Sequence, residues 1–289
     1  MTAIPPLGLL LDVDGPIASP VERRIAIPSI VEDLVLLAGI GVPIAFITGR
    51  SDTFMRNEVV APLVRAGLSK GARMFGVSEK GGVWFPITSD GMGEVTIDRA
   101  VALPDDYTAE YRQLATDRFS DLMFFDDTKH VMISLEQNTD VDHEAYRTAQ
   151  AQANQAAFDL LVEYGLGARY GDQAFPDAQG EIPYRVDPTI ISTDVESVLL
   201  DKDRGAQRAL EYLRGSGPLP TLWRTVGDSR SDYLMADHLY SVGFDVAHVD
   251  VRPADGILER PYRVITEGSA IHDEAGALFL RHWVHTLGA

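Results

Sequence analysis

The chain has 289 residues, which suits one or two domains, and 45% of them are hydrophobic, enough for a sizeable core. It contains no Cys, which excludes disulfides, thiolate metal sites and Cys nucleophiles. A formal charge of -18 argues against a nucleic-acid partner and would repel an anionic substrate at long range unless local cations offset the field. The N-terminus (Met1-Thr2-Ala3-Ile4-Pro5-Pro6) lacks a basic stretch, and the apolar run behind it is broken at Asp12, so no signal peptide is expected. No run of about 18 apolar residues predicts a membrane span, and a cytoplasmic location is expected.

The first predicted element is a buried strand, Leu7 to Leu11, which stops at Asp12-Val13-Asp14-Gly15-Pro16. In an extended chain, side chains at i and i+2 point the same way, so Asp12 and Asp14 converge if that geometry persists through Val13. Two such carboxylates repel each other and call for a cation, or a proton on one of them. Taken alone, the same residues also fit a plain strand followed by an Asp-Gly turn.

Pro28 to Gly41 reads as a helix with a Gly-rich stop, and Val42 to Ile47 as a second buried strand ending in Thr48-Gly49-Arg50-Ser51-Asp52. Ser51 or Asp52 would cap a helix over Thr53 to Ala66, and Arg73 to Val77 is a third short strand. Strand, helix, strand, helix is the pattern of a parallel sheet with crossover helices.

Gly81-Gly82 breaks it. From there to Leu199 the composition changes to strand-like pieces (Val83 to Ile87, Val131 to Leu135, Thr189 to Thr193) among polar segments. One long Ala- and Gln-rich helix, His143 to Tyr164, stops at Gly165. This predicts a separate α+β insertion. The acidic pairs Asp105-Asp106 and Asp126-Asp127 read as solvated turns. Lys129, Tyr184 and Arg185 have the chemistry to reach a substrate, but nothing in the sequence singles them out.

Around Lys202 the alternation of helix and buried strand resumes: a helix over Asp203 to Arg214, a turn from Gly215 to Pro220, and a strand from Leu222 to Asp228. A helix over Ser231 to Val242, strands at Val246 to Val251 and Tyr262 to Thr266, and a closing helix over Glu274 to Thr286 follow. The seven His residues show no zinc-binding spacing.

Three strands of the outer segments thus end in polar turns, at Asp12/Asp14, at Thr48-Gly49-Arg50, and at Gly227-Asp228 with Asp232 one helical turn on. In open parallel sheets ligands bind outside the carboxyl ends of the strands, which would gather these residues on one edge. Several carboxylates suit a hard cation such as Mg²⁺. A hydroxyl, backbone N–H groups after a Gly, and Lys202 suit a phosphate. A carboxylate facing both becomes a nucleophile toward phosphorus, while a second one protonates the leaving oxygen. Asp232 and Lys202 also fit as ordinary helix-start residues.

In order, Asp12-Val13-Asp14-Gly15, Thr48-Gly49-Arg50, Lys202 and Gly227-Asp228-Ser229-Arg230-Ser231-Asp232 resemble the motifs of the haloacid dehalogenase superfamily. The resemblance is to its phosphatases with a large α/β cap between the second and third motifs. It implies an α/β fold: a Rossmann-like, doubly wound core from residues 1–81 and 200–289, with a cap domain over 82–199. It casts Asp12 as the nucleophile that becomes an aspartyl-phosphate and Asp14 as general acid, then base. Thr48, Gly49 and Lys202 would hold the phosphate, and Arg50 would meet substrate or a neighbouring carboxylate. Mg²⁺ would sit with Asp12, the carbonyl of Asp14 and Asp228, with Asp232 completing the acidic shell. Ser78-Glu79-Lys80-Gly81-Gly82 resembles the Asn-Gly turn that leads toward the cap. Two positions depart from the pattern: Pro16 stands where Thr is usual, and Ser231 where Asn is usual.

The resulting expectation is a Mg²⁺-dependent hydrolase of a small organic phosphate, often a sugar phosphate in such proteins, with the insert excluding water and choosing the leaving group. A sugar phosphomutase of the same fold is the second enzyme reading, and a non-catalytic binder of phospho-ligands is the reading from another class.

Overall fold

The computed structural model describes residues 4–289, so the first three residues of the N-terminal stretch lie outside it. The chain runs β1 (Gly8–Leu11), α1 (Pro28–Gly39), β2 (Ile44–Ile47), α2 (Asp52–Phe54), a π-helical turn (Met55–Val60), α3 (Ala61–Arg65), β3 (Met74–Ser78), β4 (Val83–Thr88), β5 (Gly91–Met92) and β6 (Thr96–Ile97). It continues as α4 (Asp105–Phe119), β7 (Met123–Phe125), β8 (Ile133–Gln137), α5 (His143–Glu163), β9 (Ala168–Tyr170), β10 (Gln173–Phe175), β11 (Tyr184–Pro188) and β12 (Ser192–Ser197). It closes with α6 (Lys202–Gly215), β13 (Leu222–Gly227), α7 (Tyr233–Ser241), β14 (Asp245–Asp250), β15 (Arg263–Ile265) and α8 (His272–Leu287).

The chain divides into two units, one made of the segments up to Thr96 and from Asp201 onward, the other of Ile97–Leu200. In the first, the sheet order is β15-β14-β13-β1-β2-β3-β4-β5, with β6 off the path against β4. All pairs from β15 to β3 are parallel, and β1 lies between β13 and β2. The apolar run of β1 follows from this place. Leu9 and Leu11 pack on one face among α1 and α8, while Leu10 packs on the other among α6 and α7. Covered on both faces, the strand shows no polar alternation.

The helix expected over Thr53 to Ala66 is present but contains the π-helical turn Met55–Val60. Pro62 has no N–H to continue an ordinary ladder, and the Ala61 N–H reaches back to the carbonyl of Arg56.

The insertion begins later than residue 82. β4 pairs antiparallel with β3 and extends the first sheet, so Val83 to Ile87 belongs to the first unit. Sequence shows that a segment is extended but not which sheet edge it joins.

The second unit has a six-stranded sheet in the order β10-β9-β11-β12-β8-β7, with one apolar core shared by α4 and α5. Ala149, Ala153 and Ala157 make α5 narrow enough for Tyr107 and Tyr111 of α4 to reach its backbone. Their hydroxyls donate to the carbonyls of Ala157 and Ala153 at 3.1 and 3.2 Å. Asp105 and Asp106, expected in a turn, occupy the first turn of α4, where acids complement the helix dipole. Instead of one strand from Thr189 to Thr193, two strands, β11 and β12, pair antiparallel. Among the described residues no helix is long and apolar enough to cross a membrane.

Candidate active site at the carboxyl edge of the first sheet

The carboxyl ends of β1, β2 and β13 bring the motif residues together. At the end of β1 the Asp12 N–H still donates to the Val226 carbonyl at 2.9 Å, so sheet pairing holds Asp12 in place. The chain then turns through Gly15, whose φ of +91° suits glycine. A Cβ there would lie 2.7 Å from Cγ of Asp228, so Gly15 also lets this turn lie against the end of β13. The Gly15 N–H donates to the Ala18 carbonyl, and the N–H groups of Ile17 and Ala18 donate to the Val13 carbonyl. Pro16 needs no donor in this pattern, which is how the turn accommodates it.

Lys202 is the central cation. It begins α6, is almost fully buried, and its Nζ meets Asp12 Oδ1 at 2.6 Å, Asp232 Oδ1 at 2.7 Å and the Ile47 carbonyl at 2.8 Å. Those three contacts match the three N–H donors of an ammonium group. Asp12 Oδ1 also accepts from the Val13 N–H at 2.7 Å.

Asp232 is engaged at both oxygens. Its Oδ2 accepts from the Asp228 N–H at 3.1 Å, the Ser229 N–H at 2.9 Å and Ser229 Oγ at 2.7 Å, closing a capping box. Asp232 therefore fixes both the turn that presents Asp228 and the ammonium of Lys202.

Thr48 is fully buried at the end of β2, and its Oγ1 accepts from the Arg50 N–H at 3.0 Å, which shapes the turn around Gly49. Arg50 reaches back to Asp14, with Nε to Oδ2 at 3.0 Å and Nη2 to Oδ1 at 2.9 Å. This is the neighbouring-carboxylate contact expected as one of two for Arg50. Arg185 of the second unit is bound to Glu196 and the Leu200 carbonyl, and the Tyr184 hydroxyl donates to the Ala102 carbonyl. Ser231 Oγ lies 2.9 Å from Ser229 Oγ.

The electrostatics follow from the crowding. Burial, then Asp232, push the Asp12 carboxyl well up despite Lys202. Asp228 is pushed up to about 7, by burial first and Asp232 second. Burial alone would raise Asp232 too, but Lys202 and the Ser229 donors outweigh it and hold its carboxyl down. Lys202, which burial would lower, is raised by Asp12 and Asp232. Ligand oxygens of Asp12, Asp228 and Asp232 lie within 4.8 Å of one another, the one such group among the described residues. An all-oxygen set that resists ionising by mutual repulsion fits a hard divalent cation.

Three contacts were not expected from sequence. His272 Nδ1 stands 3.6 Å from Asp228 Oδ2, and the Glu79 and Lys80 N–H groups donate to the carbonyls of Arg50 and Thr48. His272 carries no sequence signal, whereas Glu79 and Lys80 lie in the Ser78 to Gly82 turn, which the motif pattern does mark.

Comparison with solved structures gives long alignments at low identity. The C-terminal domain of a trehalose-6-phosphate phosphatase from C. albicans matches with a TM-score of 0.62 and 12% identity, over 98% of this chain and 93% of that one. A haloacid dehalogenase-like hydrolase from Bacteroides thetaiotaomicron gives 0.59 and 12%, over 96% and 98%. The chain shares its fold with these two solved structures. A sucrose-phosphatase from Synechocystis, solved with sucrose and phosphate, gives 0.51 and 16% over 99% of both chains. No family model and no curated protein sequence matches the chain. At identities of this size the match is a likeness of backbone.

Proposed function

We propose that the chain is a Mg²⁺-dependent phosphomonoester hydrolase that works through an aspartyl-phosphate on Asp12. The observation that carries this reading is the pairing of Asp12 with Lys202 at 2.6 Å, beside Asp228 and one residue removed from Asp14. The ammonium holds one oxygen of Asp12, which orients the other toward an incoming phosphorus.

An Asp12 oxygen forms a bond to phosphorus as the bond to the ester oxygen breaks. Asp14 gives its proton to the departing oxygen, which leaves as an alcohol. Asp14, now a carboxylate, takes a proton from water, whose oxygen attacks the phosphorus of the aspartyl-phosphate. The Asp12 carboxylate and inorganic phosphate are released, and Asp14 is protonated again. The Thr48 hydroxyl and backbone N–H groups after Gly49 hold the phosphoryl oxygens. Mg²⁺, held by Asp12, Asp228 and the carbonyl of Asp14, with Asp232 alongside, would supply positive charge where negative charge spreads over the phosphoryl group.

The solved proteins of this fold that act on trehalose 6-phosphate or bind sucrose with phosphate support a small sugar phosphate as the substrate class. The test is a turnover screen of phosphorylated sugars and nucleotides with Mg²⁺, reading free phosphate. Release from a sugar phosphate is the expected result, and conversion to an isomer without net phosphate release would identify a mutase instead.

A further inference from the structure

Of the four carboxylates at the carboxyl edge of the first sheet, three are held by donors. Lys202 and the Val13 N–H hold Asp12, Arg50 holds Asp14, and Lys202 with the Ser229 donors holds Asp232. Asp228 differs. Among the described residues its carboxylate accepts no hydrogen bond, and the basic side chain that meets it is His272, with Nδ1 3.6 Å from Oδ2. That distance is too long for a hydrogen bond. Nδ1 of His272 is itself buried and makes no hydrogen bond. A carboxylate without a donor thus faces a buried ring nitrogen without an acceptor, and buried polar atoms left so are uncommon.

The backbone fixes the ring at this place. The carbonyl of Gly227, the last residue of β13 before Asp228, accepts from the Val251 N–H at 3.0 Å, and the Val251 carbonyl accepts from the His272 N–H at 2.8 Å. His272 is therefore tied through one residue to the strand end that presents Asp228. It opens α8 with φ of +50°, a left-handed conformation that a non-glycine residue keeps only where its surroundings hold it. The same helix is seated on the Pro16 turn, where the Pro16 carbonyl would lie 1.8 Å from a Cβ on Gly276. Carboxylates that ligate divalent cations are themselves oriented by outer hydrogen bonds, and an imidazole held beside Oδ2 is placed to supply one.

We propose that His272 is a positioning residue for the divalent cation: its imidazole, in the tautomer with the proton on Nδ1, donates to Asp228 Oδ2 and sets the orientation in which that carboxylate ligates Mg²⁺. This rests on the Mg²⁺ part of the phosphatase reading above. The experiment titrates the metal-free full chain, as wild type, His272→Gly and His272→Asn, with Mn²⁺ alone and counts the free ion by its electron paramagnetic resonance signal. Glycine accepts the left-handed backbone, so His272→Gly should melt close to the wild type in the presence of a chelator. It should raise the Kd for Mn²⁺ roughly ten- to a hundredfold, the usual effect of losing an outer partner of a metal ligand. Asparagine also tolerates that backbone and carries an amide N–H as far along its side chain as Nδ1, so His272→Asn should recover most of the loss. With p-nitrophenyl phosphate, the Mg²⁺ concentration giving half-maximal turnover should rise in His272→Gly by a similar factor, and kcat at saturating Mg²⁺ should change less. An unchanged Kd in His272→Gly would overturn the proposal. Equal losses in His272→Gly and His272→Asn would also overturn it, because they would reduce the ring to packing, and so would a wild type that binds no Mn²⁺. If the wild type binds Mn²⁺ but releases phosphate from no phosphomonoester, the phosphatase reading fails, and the comparison of Kd values still judges His272.

Discussion

Arg50 holds Asp14 at two points, Nε on one carboxylate oxygen and Nη2 on the other, at 3.0 and 2.9 Å. The planar guanidinium matches the carboxylate plane and fixes its rotation, which a single ammonium does not do. Arg50→Lys is therefore expected to lower kcat with little change in Tm. Asp14→Asn should lower kcat by about 10²–10⁴ for an alkyl phosphate, the usual range for a lost general acid. The loss should be smaller for p-nitrophenyl phosphate, whose leaving group departs without a proton. Equal losses on both substrates would contradict the role given to Asp14.

Lys202 offsets two buried carboxylates at once, so removing it is costly. Lys202→Met strands Asp12 and Asp232 without their cation and is expected to cost about 3–5 kcal/mol, the range for breaking a buried ion pair. Urea unfolding with a chelator present checks this. Asp12→Asn should cost much less, because Lys202 keeps Asp232 and the Ile47 carbonyl.

Pro16 seats its turn on the last helix. A Cβ on Gly276 of α8 would lie 1.8 Å from the Pro16 carbonyl oxygen, and a backbone atom has little room to yield. Gly276→Ala is expected to displace this turn and lower both Tm and kcat. Pro16→Thr, which restores the residue usual in the resembled family, should keep turnover and cost about 0.4–1 kcal/mol through the freer unfolded chain.

Much of the fold and the site is legible in the sequence. β1 is readable because a strand covered on both faces is apolar throughout, and the motif turns because they interrupt it. β12 is not, since Ser192-Thr193-Asp194-Val195-Glu196-Ser197 is a buried strand with one apolar side chain. Two of its polar side chains find long-range partners, Thr193 in Asn154 and Asp194 in Ser134. α4 is hidden for a related reason: its buried residues are Tyr107, Tyr111, Ala115 and Phe119, with Leu114 packed beside them, a stripe too thin to stand out among its charges. At the site, sequence nominates Lys202 and Arg50 but does not show which carboxylate each one holds.

His248 gives stability a pH dependence. It is fully buried on β14, with Nδ1 2.8 Å from Thr225 Oγ1 and its ring 4.1 Å from that of Tyr233. Burial pushes it down to about 4 from 6.5. Between those values the unfolded chain holds the extra proton, so the contribution of neutral His248 is complete above pH 6.5 and lost as pH falls toward 4. The loss amounts to about 3 kcal/mol at 1.36 kcal/mol per pH unit. Asp12 and Asp228, raised in the fold, act oppositely, so wild type should be compared with His248→Gln. The stability advantage of wild type should shrink between about pH 7 and pH 4, and a constant difference would contradict this.

The proposed mechanism depends on Asp12 carrying the phosphoryl group. The direct measurement is mass spectrometry of acid-quenched protein after mixing with substrate and Mg²⁺, beside steady-state turnover of Asp12→Asn. One phosphoryl group on the peptide containing Asp12 is expected, with no turnover by the variant. Turnover by Asp12→Asn at the wild-type rate, with no phosphoryl group on that peptide in the wild type, would contradict it.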